Sequence, residues 1–194
     1  DTIVVVACSW MIWRLQMNNI YQHNFKTIKP DSIFTTTLIN PQMVEDIHNE
    51  IEKMGDKQDH KTNVKAQMTE WNMQDRPGFD LLKNHILDVV EFISKKYYNR
   101  QLKTRISDMW GMSYGKGDHA IVHDHWPALW SGVYYTSVPK NSGELYFPQL
   151  KQSIMPKDNQ LIIFNGATRH GVKENLSDEK RVCVSFNLKE DLSV

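Results

Sequence analysis

Three of the eight histidines and one arginine carry the chemistry this sequence offers. His123 and His125 stand two apart in AIVHDHWP. On an extended strand both imidazoles project from one face and can converge on one ion. His170 follows far along the chain in FNGATRHGV, after the apolar run LIIF and a glycine-containing turn. Two ligands on one strand and a third from a distant strand leave metal positions open to oxygen and a chelating ligand. Arg181 comes next, with a planar guanidinium suited to two-point contact with a carboxylate. An H-x-H pair alone is weak evidence, since such rings are often solvent-facing or bonded to nearby backbone. The addition of His170 and Arg181 makes a metal site the stronger reading. His119, two strand periods before His123, is placed to share the same face.

The elements that must position these residues divide at about Asn99. Asn40 and Pro41 give a capping side chain followed by proline at the first helical position. Val44, Ile47, Ile51 and Met54 then recur at helical spacing, and Gly55 ends the run. Phe79, Leu82, Ile86, Val89, Ile93 and Tyr97 make the apolar stripe of a second helix. The polar segment Asp56 to Gly78 between them, which contains Met68, Trp71 and Met73, reads equally as a binding loop or as a strand with turns. After Asn99 the period becomes two. Short apolar or aromatic runs are separated by turn signals at Pro139–Gly143 and Pro156–Asn159. In the last run Val182, Val184, Phe186 and Leu188 face one way, and Arg181, Cys183, Ser185 and Asn187 the other. The pattern predicts a mainly β fold with supporting α-helices, a jelly-roll barrel in which helices at about 40–100 buttress a core at about 105–190. The polar face of the last strand then lines the barrel interior, where an arginine needs a buried anion to offset its desolvation.

Length and composition narrow the rest. A chain of 194 residues suits one domain able to bury a core without disulfides. Acidic and basic residues balance at 23 each, so nothing suggests general binding to nucleic acid or an anionic membrane. The basic stretch Lys95, Lys96, Arg100, Lys103 and Arg105 reads as a solvated face suited to a helix C-terminus. With only Cys8 and Cys183, a disulfide framework and a cysteine zinc cluster are excluded, which fits a cytoplasmic protein. Cys183 has no evident activating base and reads as an inert buried thiol. Residues 1–16 are apolar between Thr2 and Trp13, yet shorter than the ~20 residues of a spanning helix. They read as a non-native or over-extended segment ahead of a single domain at 17–194. Trp126, Trp130, Tyr134 and Tyr135 serve either as core or as a substrate wall. A homodimer is the default for a soluble oligomer.

The ordered set H-D-H-W-P-A-L-W-S-G-V-Y-Y, S-G-E-L-Y-F, L-I-I-F-N-G-A-T-R-H-G-V and K-R-V-C-V-S-F-N resembles the 2-oxoglutarate/Fe(II)-dependent oxygenase superfamily. More narrowly, it resembles a group of small oxygenases marked by SGVYY and SFN. The strong likeness covers about Trp110 to Leu188, with a looser one back to about Ile33. It implies a double-stranded β-helix that binds Fe(II) and uses 2-oxoglutarate and O2. Such enzymes hydroxylate a substrate, here unidentified, and release succinate and CO2. His123 would be the first metal ligand and His170 the distal one. Arg181 would bind the far carboxylate of 2-oxoglutarate, with Tyr114, Tyr134 and Ser185 as its neighbours. The protein would supply open coordination positions, a charge clamp and a dry cavity.

Two positions depart from the superfamily pattern. A carboxylate usually stands two residues after the first histidine, and here that position is His125. The expected triad is therefore His123, His125 and His170. Asp124 is held in reserve should the strand bulge, and Asp118 and Glu144 are further sources of a carboxylate. Cys183 stands where many relatives place the serine of an R-x-S pattern, which would shift the hydroxyl contact to Ser185. The departures keep two other readings open: a three-histidine cupin-like metalloenzyme that does not use 2-oxoglutarate, and a non-catalytic jelly-roll binding module.

Overall fold

The computed structural model describes residues 22–27, 32–55 and 62–192, so residues 1–16 lie outside it. The chain opens with strands β1 (Gln22–Thr27) and β2 (Ser32–Thr37), then helix α1 (Pro41–Met54). Short strands β3 (Val64–Lys65) and β4 (Gln67–Met68) and a 3-10 turn at Met73–Asp75 lead to helix α2 (Phe79–Tyr98). Eight strands follow: β5 (Thr104–Tyr114), β6 (His119–His123), β7 (Trp130–Ser137), β8 (Leu145–Phe147), β9 (Gln152–Ile154), β10 (Gln160–Asn165), β11 (His170–Val172) and β12 (Arg181–Glu190). They form a seven-stranded sheet, β1-β2-β10-β7-β12-β5-β4, and a five-stranded sheet, β3-β6-β11-β8-β9. The strand pairs are antiparallel and the two sheets enclose a jelly-roll interior.

Each face of the large sheet has its own core. The outer face packs on the helices through Phe34, Met109, Trp130, Tyr134, Val184, Phe186 and Leu188. Helix α1 begins where the Asn40 side chain accepts the Met43 N–H, a cap that satisfies one of the free first-turn donors, and it ends at Gly55 with φ 58°. Helix α2 buries Phe79, Leu82, Ile86, Val89 and Ile93, each a side chain whose full burial contributes about 1.5–3 kcal/mol. Gly111 lets α1 approach the sheet, because a Cβ there would stand 2.5 Å from Ile51 Cγ1. The inner face meets the small sheet through Trp110, Met112, Tyr114, Tyr135, Leu145, Phe147 and Phe164.

The reading of a helical first half needs correction, because β1 and β2 precede α1 and β2 pairs with β10 in the large sheet. SIFTTT is rich in β-branched residues but lacks strict alternation, since both Ile33 and Phe34 are buried. The described part of the segment between the helices is the strand-and-turn alternative: β3 joins β6 and β4 joins β5. No helix among the described residues is long and apolar enough to cross a membrane.

Candidate metal centre and carboxylate pocket

The histidines converge through an irregularity. Pairing of β11 with β6 sets His170 opposite His123 and Val172 opposite Ala120, so β6 carries one residue more than its partner between these pairs. Such a bulge turns the later side chains by one step. Ala120 and His123 both line the interior, although a regular strand would put them on opposite faces. The same step removes His119 from the cluster; its Nδ1 lies 3.2 Å from Gly117 O, outside the barrel. His125 stands beyond the end of β6. Its N–H donates to Gly166 O at 2.8 Å, and its carbonyl accepts the Ala128 N–H at 2.8 Å. A hydrogen-bonded turn, not a regular strand, aims this second ring.

The ligand atoms of His123, His125 and His170 all lie within 4.8 Å of one another. The Nδ1 of His123 donates to Ile121 O at 2.7 Å, and that of His170 to Thr168 O at 2.9 Å. A carbonyl can only accept, so each bond fixes the proton on Nδ1 and leaves the Nε2 lone pair for a metal. Burial is the main cause that holds the rings neutral. It lowers the His170 pKa to about 3, assisted by the neighbouring His123. It lowers that of His125 to about 4, again with His123 assisting, against the opposing fields of Asp124 and Asp108. His123 is lowered by burial as well, against its bond to Ile121. Three neutral imidazoles are a donor set for a divalent first-row metal.

The reserve carboxylates do not join them. Despite the bulge, Asp124 is exposed and its Oδ1 accepts the Trp126 N–H at 3.2 Å. Asp118 accepts the Gly115 N–H at 2.8 Å as a turn residue. Glu144 pairs with Lys173 at 2.7 Å on the surface. Among the described residues, the metal-ligating group is the three histidines.

A cavity between the sheets is lined by these rings and by Arg181. Arg181 is 0% exposed. Its Nη1 donates to Ser142 O and, at 3.3 Å, to Gly143 O, and its guanidinium lies over the Tyr114 ring at 4.2 Å. Nε and Nη2 have no partner among the described residues. These two nitrogens form the edge that a carboxylate meets in two parallel bonds. The orphaned edge therefore fits a carboxylate bound in the cavity that the histidines also line. Ser185 and Cys183 share this wall, and burial pushes the Cys183 thiol up to about 12, as an inert thiol requires.

Tyr134 needs correction as a neighbour of the carboxylate. Its ring lies in the helix-side core and its hydroxyl donates to Leu38 O at 2.8 Å. Tyr135 lines the cavity instead, because β7 pairs Tyr135 with Cys183 and Tyr134 with Val184. Of the aromatic group read as a wall or core, Trp130 is core against Phe34 and Trp126 is 76% exposed. Trp110 was not among the site residues expected from sequence, yet it lines the cavity with its ring 6.0 Å from that of His125. Its place on the inward face of β5, opposite Ser185, is a signal that strand alternation could have supplied.

A family model described as "Putative 2OG-Fe(II) oxygenase" matches residues 148–187, a span that holds His170 and Arg181 but begins after His123 and His125. No protein of curated function matches the sequence. Among solved structures, the chain is similar to the viral collagen prolyl hydroxylase vCPH from Paramecium Bursaria Chlorella virus-1 in its 2OG complex. That likeness has 16% identity and a TM-score of 0.62, covering 88% of this chain and 96% of that one. The fold is that of the 2-oxoglutarate/Fe(II) oxygenases. A Pseudomonas putida prolyl-4-hydroxylase shares it at 13% identity and a TM-score of 0.62, covering 84% of this chain and 94% of that one. HygX from Streptomyces hygroscopicus, with nickel and 2-oxoglutarate bound, does so at 10% identity and a TM-score of 0.64, covering 82% and 83%.

Proposed function

We propose that this protein is a non-haem Fe(II)- and 2-oxoglutarate-dependent oxygenase that hydroxylates its substrate. The observation that carries the reading is one cavity holding three neutral, convergent imidazoles at one place and a buried arginine with an orphaned edge at another. His123, His125 and His170 would hold Fe(II) through nitrogen, and Arg181 would clamp the far carboxylate of 2-oxoglutarate. Bound iron and cosubstrate supply the oxidising power, with release of succinate and CO2. Tyr114 holds the guanidinium plane, and the carbonyls of Ser142 and Gly143 fix its other edge. Apolar walls from Met112, Val133 and Leu145 limit water around the reacting groups. The domain at 17–194 would act as one catalytic unit. The test is succinate release by purified protein with Fe(II), ascorbate and 2-oxoglutarate, without added substrate. Slow release that is lost in Arg181→Ala is expected; iron-loaded protein that neither binds 2-oxoglutarate nor releases succinate would refute the reading.

One observation favours a second reading. No carboxylate among the described residues joins the histidines, so the bound metal would carry one negative charge fewer than in a two-histidine, one-carboxylate site. A three-histidine metalloenzyme that does not use 2-oxoglutarate fits that donor set. Metal-dependent activity that survives Arg181→Ala would support it.

A further inference from the structure

We infer that the barrel mouth beyond His125 is a subsite for an organic cation of the substrate, with Asp108 receiving an ammonium or guanidinium group and Trp110 and Asn187 donating to an adjacent oxygen. The inference deepens the oxygenase reading and rests on it, since it concerns the substrate end of the same cavity.

The site follows from tiers of inward-facing residues. Strand β12 sets Arg181 against Tyr114, Cys183 against Met112, Ser185 against Trp110 and Asn187 against Asp108. Strand β7 adds Tyr135 beside Cys183, Val133 beside Ser185 and Ser131 beside Asn187. The first three tiers line the cavity described above. The fourth, Asp108, Asn187 and Ser131, is polar throughout. The β12–β5 register shifts between Asn187 and Leu188, skipping Ser107, so the inward phase ends at Asp108 and Ile106 turns to the helix side. A bulge of this kind re-aims the side chain next to it.

Hydrogen bonding within the tier leaves ligand-seeking groups. Ser131 Oγ donates to Asn187 Oδ1 at 2.7 Å, which fixes the amide while its nitrogen keeps two donors. Trp110 is 2% exposed and lines the cavity, and its Nε1–H has no partner among the described residues. A buried donor of this kind is destabilising until an acceptor arrives. Asp108 is half-buried and accepts only the Ser107 hydroxyl, at 2.8 Å; no lysine or arginine pairs with it among the described residues. Trp71, 41% exposed, packs on Trp110 with centroids 4.4 Å apart and extends the aromatic surface to the rim.

Charge decides what this mouth selects. Arg181 lies six residues from Asn187 along β12, roughly 20 Å at 3.3 Å per residue. At that separation Arg181 forms no ion pair with Asp108, whose charge is left to a group at the mouth. A 2-oxoglutarate dianion clamped at Arg181 would be balanced by the Fe(II) that the histidines would hold, so the Asp108 carboxylate is the charge that decides selection at the mouth. A substrate group entering past Asp108 therefore gains if it is cationic and loses if it is anionic. The neighbouring indoles strengthen the preference through their ring faces.

The test uses the full chain without metal and three probes: Nα-acetyl-lysine methylamide, cadaverine and the neutral deamino analogue Nα-acetyl-norleucine methylamide. Binding is followed by calorimetry and by the Trp110 indole N–H resonance. The lysine probe is expected to shift that resonance and to bind at least about tenfold more tightly than the norleucine probe, a 1.4 kcal/mol difference. Asp108→Asn should erase the preference, and Asp108→Glu should retain most of it. Rising salt should weaken the lysine and cadaverine probes and leave the norleucine probe unchanged, a readout that needs no variant. A lysine probe tighter than cadaverine identifies a peptide source for the cation, and the reverse a free amine. Equal affinity of charged and neutral probes, an unmoved Trp110 resonance, or a preference that survives Asp108→Asn would overturn the inference. Cation selectivity without succinate release would overturn the oxygenase reading and leave the subsite standing; succinate release without selectivity would do the reverse.

Discussion

Replacing Arg181 by methionine separates a ligand-binding arginine from a structural one. In the free protein the guanidinium is fully buried and faces no anion among the described residues. Its desolvation costs several kcal/mol. The bonds to Ser142 O and Gly143 O offset about 1.5–3 kcal/mol each, and stacking on Tyr114 up to about 2 kcal/mol. These opposing quantities nearly cancel. Arg181→Met should therefore change the stability of the ligand-free protein by no more than about 2 kcal/mol, or roughly 8 °C in Tm at this chain length. Binding should respond far more strongly. Two charge-assisted bonds from Nε and Nη2 correspond to about 3–6 kcal/mol, or roughly 100- to 10,000-fold in the Kd of 2-oxoglutarate. The assay is thermal unfolding with Zn(II) and increasing 2-oxoglutarate. At 100 times Kd the wild type should gain about 2.7 kcal/mol, roughly 5–10 °C, and the variant nothing at the same concentration. A variant destabilised by more than about 4 kcal/mol that still shows the full 2-oxoglutarate shift would make the arginine a structural strut and not a ligand clamp.

Other perturbations test the remaining parts. His170→Ala should weaken Zn(II) binding by more than about 100-fold in calorimetry, exceeding the loss typical of an outer hydrogen-bond partner. In metal-free protein, stability should be full above pH 6.5 and fall as pH drops toward 3, because the unfolded chain protonates its histidines first. The depressed His170 pKa, about 3, contributes roughly 1.4 kcal/mol for each pH unit in that window, and His125 acts in the same direction down to about 4. Urea midpoints at pH 7, 6 and 5 check this, and a flat series would contradict it. Gly111→Ala should lower stability by about 1–3 kcal/mol by pressing Ile51 away from the sheet, seen as a lower Tm.

The sequence made the ingredients of the site easier to read than their aim. Alternation in β12 is strict enough to place Arg181, Cys183 and Ser185 on one wall, because the helix-side residues between them are all apolar. The adjacent Tyr134 and Tyr135 gave no such guide. Both are buried, one against helices and one against the cavity, and only the register with β12 separates them. His119 and His123 have the right spacing for one face, yet a single extra residue in β6 divides them. A bulge has no signature in residue type here. The polar tier of Asp108, Ser131 and Asn187 was equally hidden, since its members come from three strands and meet only through pairing.

The central claim is that the three histidines and Arg181 together hold iron and 2-oxoglutarate. Anaerobic titration of the Fe(II)-loaded protein with 2-oxoglutarate, monitored for the weak visible charge-transfer band of the chelate, tests it most directly. A band that saturates at one equivalent of bound iron is expected. Iron demonstrably bound with no band at any 2-oxoglutarate concentration would contradict it.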